Sequence, residues 1–178
     1  MNKFGKNLRL WGGAGLLLIA LFYLFRPESK EEVLTYESVE ACIAAGVQDE
    51  STCRTEFDKA KALHEKVAPR YQTSSTCYGE FGYDRCYRQR TSTGSFWFPV
   101  MVGYMLAPRR TSAVIYSQPL YRPSRDPNQF YTSRGEGVGS VSRDGRAQIA
   151  KSQVSQPRAR TRTVARGGFG ARSTSAAS

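Results

Sequence analysis

Gly94-Ser95-Phe96-Trp97-Phe98-Pro99-Val100-Met101-Val102-Gly103-Tyr104-Met105-Leu106-Ala107 is the stretch on whose reading the fold of this 178-residue chain turns. It is apolar but too short to cross a bilayer as a helix, which takes about 20 residues. Pro99 suits the first turn of a short helix. Trp97, Tyr104 and the Arg109-Arg110 pair beyond them are residue types found at membrane interfaces. One reading is therefore a segment that rests on a membrane or docks on a partner. The other is a core strand or helix of the domain upstream. Periodicity alone does not separate the two in a run this short, and both stand.

Upstream, residues 36–93 contain all four cysteines: Cys42, Cys53, Cys77 and Cys86. Tyr36 stands six residues before Cys42 and Tyr71 six before Cys77, a weak internal repeat. An even count suits two disulfides in an oxidising compartment. Local pairing, Cys42 with Cys53 and Cys77 with Cys86, is the simplest of three connectivities. Zinc is not expected, because there is no C-x-x-C knuckle and His64 is the single histidine.

Three helices are expected here. Ser38 caps a short one over 39–45 that Gly46 ends. Asp49 opens a longer one over 50–68, stopped by Pro69, with Cys53, Phe57, Ala60, Leu63 or His64, and Val67 on one face. Glu56, Asp58, Lys59, Lys61 and Glu65 fall on its outer face. A third starts after Ser74 and runs through Cys77 to Phe81. The predicted fold class is a small, mainly α, disulfide-stapled domain behind one N-terminal transmembrane helix, with a largely disordered basic C-terminal tail.

The helix at the front is read from Lys3, Lys6 and Arg9 ahead of an apolar run, Leu10 to Phe25, that stops at Arg26-Pro27-Glu28. Eighteen residues from Leu8 are enough to span. No small-residue cleavage site comes after it, so an uncleaved anchor is expected rather than a signal peptide. Three cations and no acid on the first flank place the N-terminus in the cytoplasm and the bulk of the chain in the periplasm. The predicted organisation is 1–9 cytoplasmic, 10–25 anchor, 26–35 linker, 36–93 cysteine domain, 94–107 apolar segment and 108–178 basic tail.

The net charge of +11 is unevenly spread. Residues 26–107 carry ten cations against twelve acids, whereas residues 108–178 carry thirteen cations against three acids. Such a polycation, rich in Ser, Thr, Gly and Arg, has the composition of a disordered segment. Outside the cytoplasm its partners would be anionic lipids, cell-wall polymers or a protein, and nucleic acid is not the expected partner. Arg166-Gly167-Gly168-Phe169-Gly170 is similar to RGG segments that bind RNA, so the opposite topology would make the tail an RNA or anionic-lipid binder. The same residues also suit a short docking motif held by the Phe169 ring.

No catalytic residues, metal or cofactor are expected. The sequence has no nucleophile elbow, phosphate loop or metal triad. His64 reads as a helix-surface or half-buried histidine. The function expected is that of a non-enzymatic envelope adaptor. Its candidate interaction residues are Phe96, Trp97, Phe98, Pro99, Met101, Gly103, Tyr104, Met105, Arg166, Gly167, Gly168, Phe169 and Gly170.

Several ordered motifs resemble the YgiB-like family of bacterial proteins, a domain of unknown function. Gly94 to Met105 resembles its GSFW-x-P-x-M-x-GYM motif. The cysteine spacing, Ala68-Pro69-Arg70-Tyr71, Glu80-Phe81-Gly82 and Thr163-Val164-Ala165-Arg166-Gly167-Gly168-Phe169-Gly170 also match. The resemblance implies an envelope location with no assigned activity, and no catalytic residues carry over. Some family members look like lipoproteins. This chain has Arg26-Pro27 and no lipobox, which favours an inner-membrane anchor. Neighbouring genes for an ATP-grasp ligase imply, as an alternative, an accessory subunit in an enzyme pathway.

Overall fold

The computed structural model describes residues 28–108, 115–159, 163–164 and 168–170. The expected anchor over 10–25 lies outside them. Among the described residues no helix is long and apolar enough to cross a membrane.

The three helices form where their caps predict. The Ser38 hydroxyl accepts from the Ala41 N–H and opens α1 (Val39–Ala45), and Gly46 closes it at φ 66. The Asp49 carboxylate accepts from the Thr52 N–H at the start of α2 (Glu50–Val67). The Thr73 hydroxyl accepts from the Thr76 N–H at the start of α3 (Ser74–Phe81).

The rest overturns the mainly α expectation. Seven strands make the fold mainly β: β1 (Lys30–Tyr36), β2 (Cys86–Thr91), β3 (Gly94–Pro99), β4 (Gly103–Pro108), β5 (Ile115–Tyr121), β6 (Tyr131–Thr132) and β7 (Arg146–Ala150). Five of them form one antiparallel sheet in the order β6-β5-β4-β1-β7, and β2 and β3 form a separate hairpin. β1 occupies most of the expected linker. The apolar stretch is not a helix. It splits into β3 and β4, with Pro99 ending a strand rather than starting a helix. Pro99 lacks a donor, and the end of a strand tolerates that.

The expected disordered tail supplies three strands. β7 alternates exposed Arg146 and Gln148 with buried Ala147 and Ile149, the period of a half-buried strand. Its cation is solvated and paired: Arg146 meets Glu32 at 2.5 Å and Asp144 at 2.8 Å. A high density of arginine is compatible with folding when the arginines occupy outward positions.

The sheet has two dressed faces. On one, Leu34, Tyr36, Tyr104 and Leu106 pack under α1 and α2. On the other, Val33, Met105, Leu120, Ala147 and Ile149 pack under Phe130 and Val138 from the chain between β5 and β7. A third cluster, mostly aromatic, joins Tyr71, Phe81, Phe98, Tyr121, Tyr131 and Phe169 beside the hairpin.

Two disulfides fasten the helices in place. Cys42–Cys53 ties α1 to α2, and Cys77–Cys86 ties α3 to β2. Closing loops of this length stabilises by about 2.5–3 kcal/mol each in the chain-entropy account. All four cysteines are buried.

Candidate functional site

A polar cleft of about 790 Å³ opens between the end of β1, the turn after β5 and the loop before β7. β5 ends at Tyr121, and Pro123 and Pro127 then punctuate a turn that brings Arg122, Arg125 and Asp126 to one wall. Ser142, Arg143 and Gly145 form the other wall. The Ser142 N–H donates to the Arg146 carbonyl at 2.9 Å, closing that loop on its own strand.

The cleft is held by charge and aromatic contacts. Arg122 Nη2 donates to Glu37 Oε1 at 2.6 Å, and its guanidinium lies 4.5 Å from the centre of the Phe130 ring. Arg125 sits 5.5 Å from the Tyr131 ring and 3.3 Å from Asp126. The Tyr131 hydroxyl donates to Asp126 Oδ2 at 2.5 Å. Burial, and after it the bond to Asp126, pushes the Tyr131 phenol above its ordinary range. Arg143 stands exposed on the rim. Two polar atoms on cleft residues, Thr35 Oγ1 and Arg122 Nε, are buried without a hydrogen-bond partner. Buried groups of that kind call for an explanation such as a bound water or ligand. Three arginines against Glu37 and Asp126 suit a ligand that carries negative charge.

The groups best fitted to proton transfer are occupied elsewhere. His64 is buried rather than half-exposed on the helix surface. Its Nδ1 lies 2.9 Å from the Tyr121 hydroxyl and its Nε2 2.8 Å from the Tyr87 hydroxyl. A neutral imidazole meets both by donating from one nitrogen and accepting on the other. Burial lowers its pKa to about 4, which keeps it neutral. Glu56 is on the inner, not the outer, face of α2. It accepts from Lys59 at 2.6 Å and from the Ser117 hydroxyl at 2.9 Å.

The sequence candidates fall mostly inside the molecule. Phe98, Pro99, Gly103, Tyr104 and Met105 are buried, and Phe96, Trp97 and Met101 half-buried. A Cβ at Gly103 would come 2.6 Å from the Tyr36 carbonyl, so the motif glycine serves strand packing. Arg166 and Gly167 lie outside the described residues. Phe169 is 1 % exposed, with its ring 5.0 Å from Phe81 and 6.1 Å from Tyr121. The motif docks on its own domain. The Val164 N–H donates to the Arg70 carbonyl at 2.7 Å. Gly135 and Gly170, at φ 85 and φ 70, let two backbone segments touch. A Cβ at Gly135 would come 2.4 Å from the Gly170 nitrogen.

Reading by charge and composition missed the cleft residues. The signals that mark them are Asp126-Pro127-Asn128 and Asp144-Gly145, turn sequences between apolar runs.

Comparison with known proteins agrees with the motifs. The chain is 30% identical over 174 residues to a UPF0441 protein of Klebsiella pneumoniae, covering 87% of this chain and 78% of that one. It is 31% identical over 173 residues to one of Erwinia tasmaniensis, with the same coverage. With one of Photorhabdus laumondii it shares 29% over 197 residues, 95% of this chain and 84% of that one. No solved structure matches. The family model described as "Protein of unknown function (DUF1190)" matches residues 30–178, and the chain belongs to that family, in agreement with the YgiB-like resemblance.

Proposed function

We propose that this chain is a non-catalytic interaction protein of the cell envelope. Residues 10–25 hold it in the inner membrane, residues 1–9 stay in the cytoplasm, and the folded domain lies in the periplasm. The observation that carries this reading is the pair of buried disulfides, which persist in an oxidising compartment and not in a reducing one. A role without chemistry is supported by the occupation of His64 and Glu56 in structural bonds. The contact surface is the cleft of Arg122, Arg125 and Arg143, and its partner is an anionic component of the envelope.

Thiol labelling in intact cells tests this. With the domain in the periplasm, all four cysteines resist alkylation until the chain is denatured and reduced. Mass spectrometry of the digest then returns the two local pairs. Free thiols that react only with a membrane-permeant reagent would place the domain in the cytoplasm and end this reading.

A further inference from the structure

The β2–β3 hairpin carries an outward face that shares no residue with the cleft. In the antiparallel register Arg88 stands opposite Trp97 and Arg90 opposite Ser95. Directly opposed side chains share a face, as do residues two apart along a strand. Arg88, Arg90 and Trp97 therefore point the same way. On the opposite face Phe98 is buried in the aromatic core. Tyr87, Trp97 and Tyr78 are half-buried at the edge of that core.

The aromatic surface continues past Trp97. Its ring meets Tyr78 of α3 at 5.6 Å, edge to face, and Tyr78 meets Tyr83 at 5.1 Å. Tyr83 is 78 % exposed, so the row of rings ends in solvent. The turn that projects it passes through Gly82 at φ 100 and Asp84 at φ 63, left-handed positions that glycine and aspartate accept in tight turns. The Cys77–Cys86 bond brackets this turn.

The charge on this face is uncompensated. Arg88 and Arg90 are exposed, and neither forms an ion pair among the described residues. Asp84 is the one acid in the adjoining turn. A step of two residues sets the arginines about 6.6–7 Å apart along the strand. Rings in a row beside spaced guanidinium groups complement a chain of flat-faced units with repeated negative charge.

We propose that Tyr83, Tyr78 and Trp97, with Arg88 and Arg90, form a docking face for an acidic polysaccharide. The choice of partner rests on the envelope reading above, and three observations favour a glycan over a bilayer. The rings are tyrosine and tryptophan, and among the described residues Val100, at the margin of exposure, is the one exposed aliphatic beside them. Trp97 and Tyr78 are half-buried and packed edge to face, and Tyr83 lies tilted against Tyr78, an arrangement unlike side chains free to insert. The face also lies away from the membrane-proximal end of the domain. Lys30 opens β1, while the hairpin feeds β4 beside Tyr36 at the other end. β1 separates the two ends by about 20 Å.

The test uses the full chain with Trp11→Phe, in nanodiscs of zwitterionic lipid, so that Trp97 reports alone. It is titrated with polygalacturonate, with alginate, with neutral dextran, and with vesicles containing phosphatidylglycerol. The expected result is a saturable change in Trp97 emission with at least one acidic polysaccharide and none with dextran. Arg88→Ala/Arg90→Ala weakens binding by roughly ten-fold or more, and Tyr83→Ala weakens it by a comparable amount, with unchanged thermal unfolding in both. Arg54→Ala, which removes an exposed cation on α2 outside both the cleft and the hairpin, leaves it unaltered. Equal affinity in the hairpin variants, no response to either acidic polysaccharide, or a response to vesicles alone would each overturn the proposal. None of these readouts depends on where the domain lies in the cell, so this failure is distinguishable from that of the envelope reading.

Discussion

Replacing Phe169 by Ala tests whether the end of the chain is part of the fold. The side chain is fully enclosed, and its ring contacts Phe81, Tyr121 and Tyr131 with centroids 5.0, 6.1 and 6.2 Å away. Phe→Ala at such a site costs about 3–5 kcal/mol, the lost transfer energy plus the cavity left behind. The global loss is capped by the free energy that docks the segment, because the chain can release its last turn and keep the sheet. Two measurements separate these contributions. Thermal unfolding reads the global part, expected as a fall of about 10 °C if the whole cost is felt. Amide exchange at Val164 reads the local part, since its N–H is bonded to the Arg70 carbonyl. That amide should lose protection by about 100-fold or more, the equivalent of about 3 kcal/mol. A melting temperature within about 2 °C of the parent, together with a Val164 amide that exchanges equally fast in both, would refute the docking and restore a detached tail.

Other expected outcomes concern single sites. His64 has a folded pKa of about 4, below its ordinary 6.5, so the unfolded chain binds a proton first as pH falls. The His64 contribution should be level above pH 6.5, drop by on the order of 3 kcal/mol down to pH 4 and level again below; urea titrations of the parent and His64→Gln at pH 7 and pH 4 should differ by this contribution. Gly135→Ala places a Cβ against the Gly170 backbone at positive φ, and should weaken docking by roughly 1–3 kcal/mol, read as lost Val164 protection. Cys77→Ser/Cys86→Ser should cost about 2.5–3 kcal/mol in urea titration, while reductant should have a smaller effect on the variant than on the parent.

The helices were legible because their signals are local. Ser38, Gly46 and Asp49 are caps within one turn of the residues they organise, and both disulfides close within the same stretch. The sheet was not legible, because its pairing is remote. β1 reads as a charged linker until β4 and β7 lie on either side of it. β5 lacks an alternating pattern because it is covered on both faces. Its buried Ser117 and Gln118 are tolerated only through bonds to Glu56 and to the Gln153 carbonyl. Composition misjudged residues 115–150 for a related reason. A net charge describes a segment's average, whereas folding depends on which residues alternate inward, and Ala147 and Ile149 do so between Arg146 and Gln148. Phe169 stands out in the sequence as a docking ring, and the structure places that ring inside its own chain against Phe81 and Tyr121.

The strand order also sets a schedule for maturation. β1 is among the first residues of the described fold, yet it pairs with β7, and Lys30 meets Ala150 across the ladder. A chain delivered from its N-terminus cannot complete the sheet until some 150 residues have emerged, and such remote contacts form late and slowly. Cysteine pairing is exempt from that delay, because each bond closes over 9 or 11 positions. Closure over so few positions favours these pairs before the sheet assembles. A helical, already cross-linked front half then waits for β7 to arrive, and the arrival of Phe169 completes the fold.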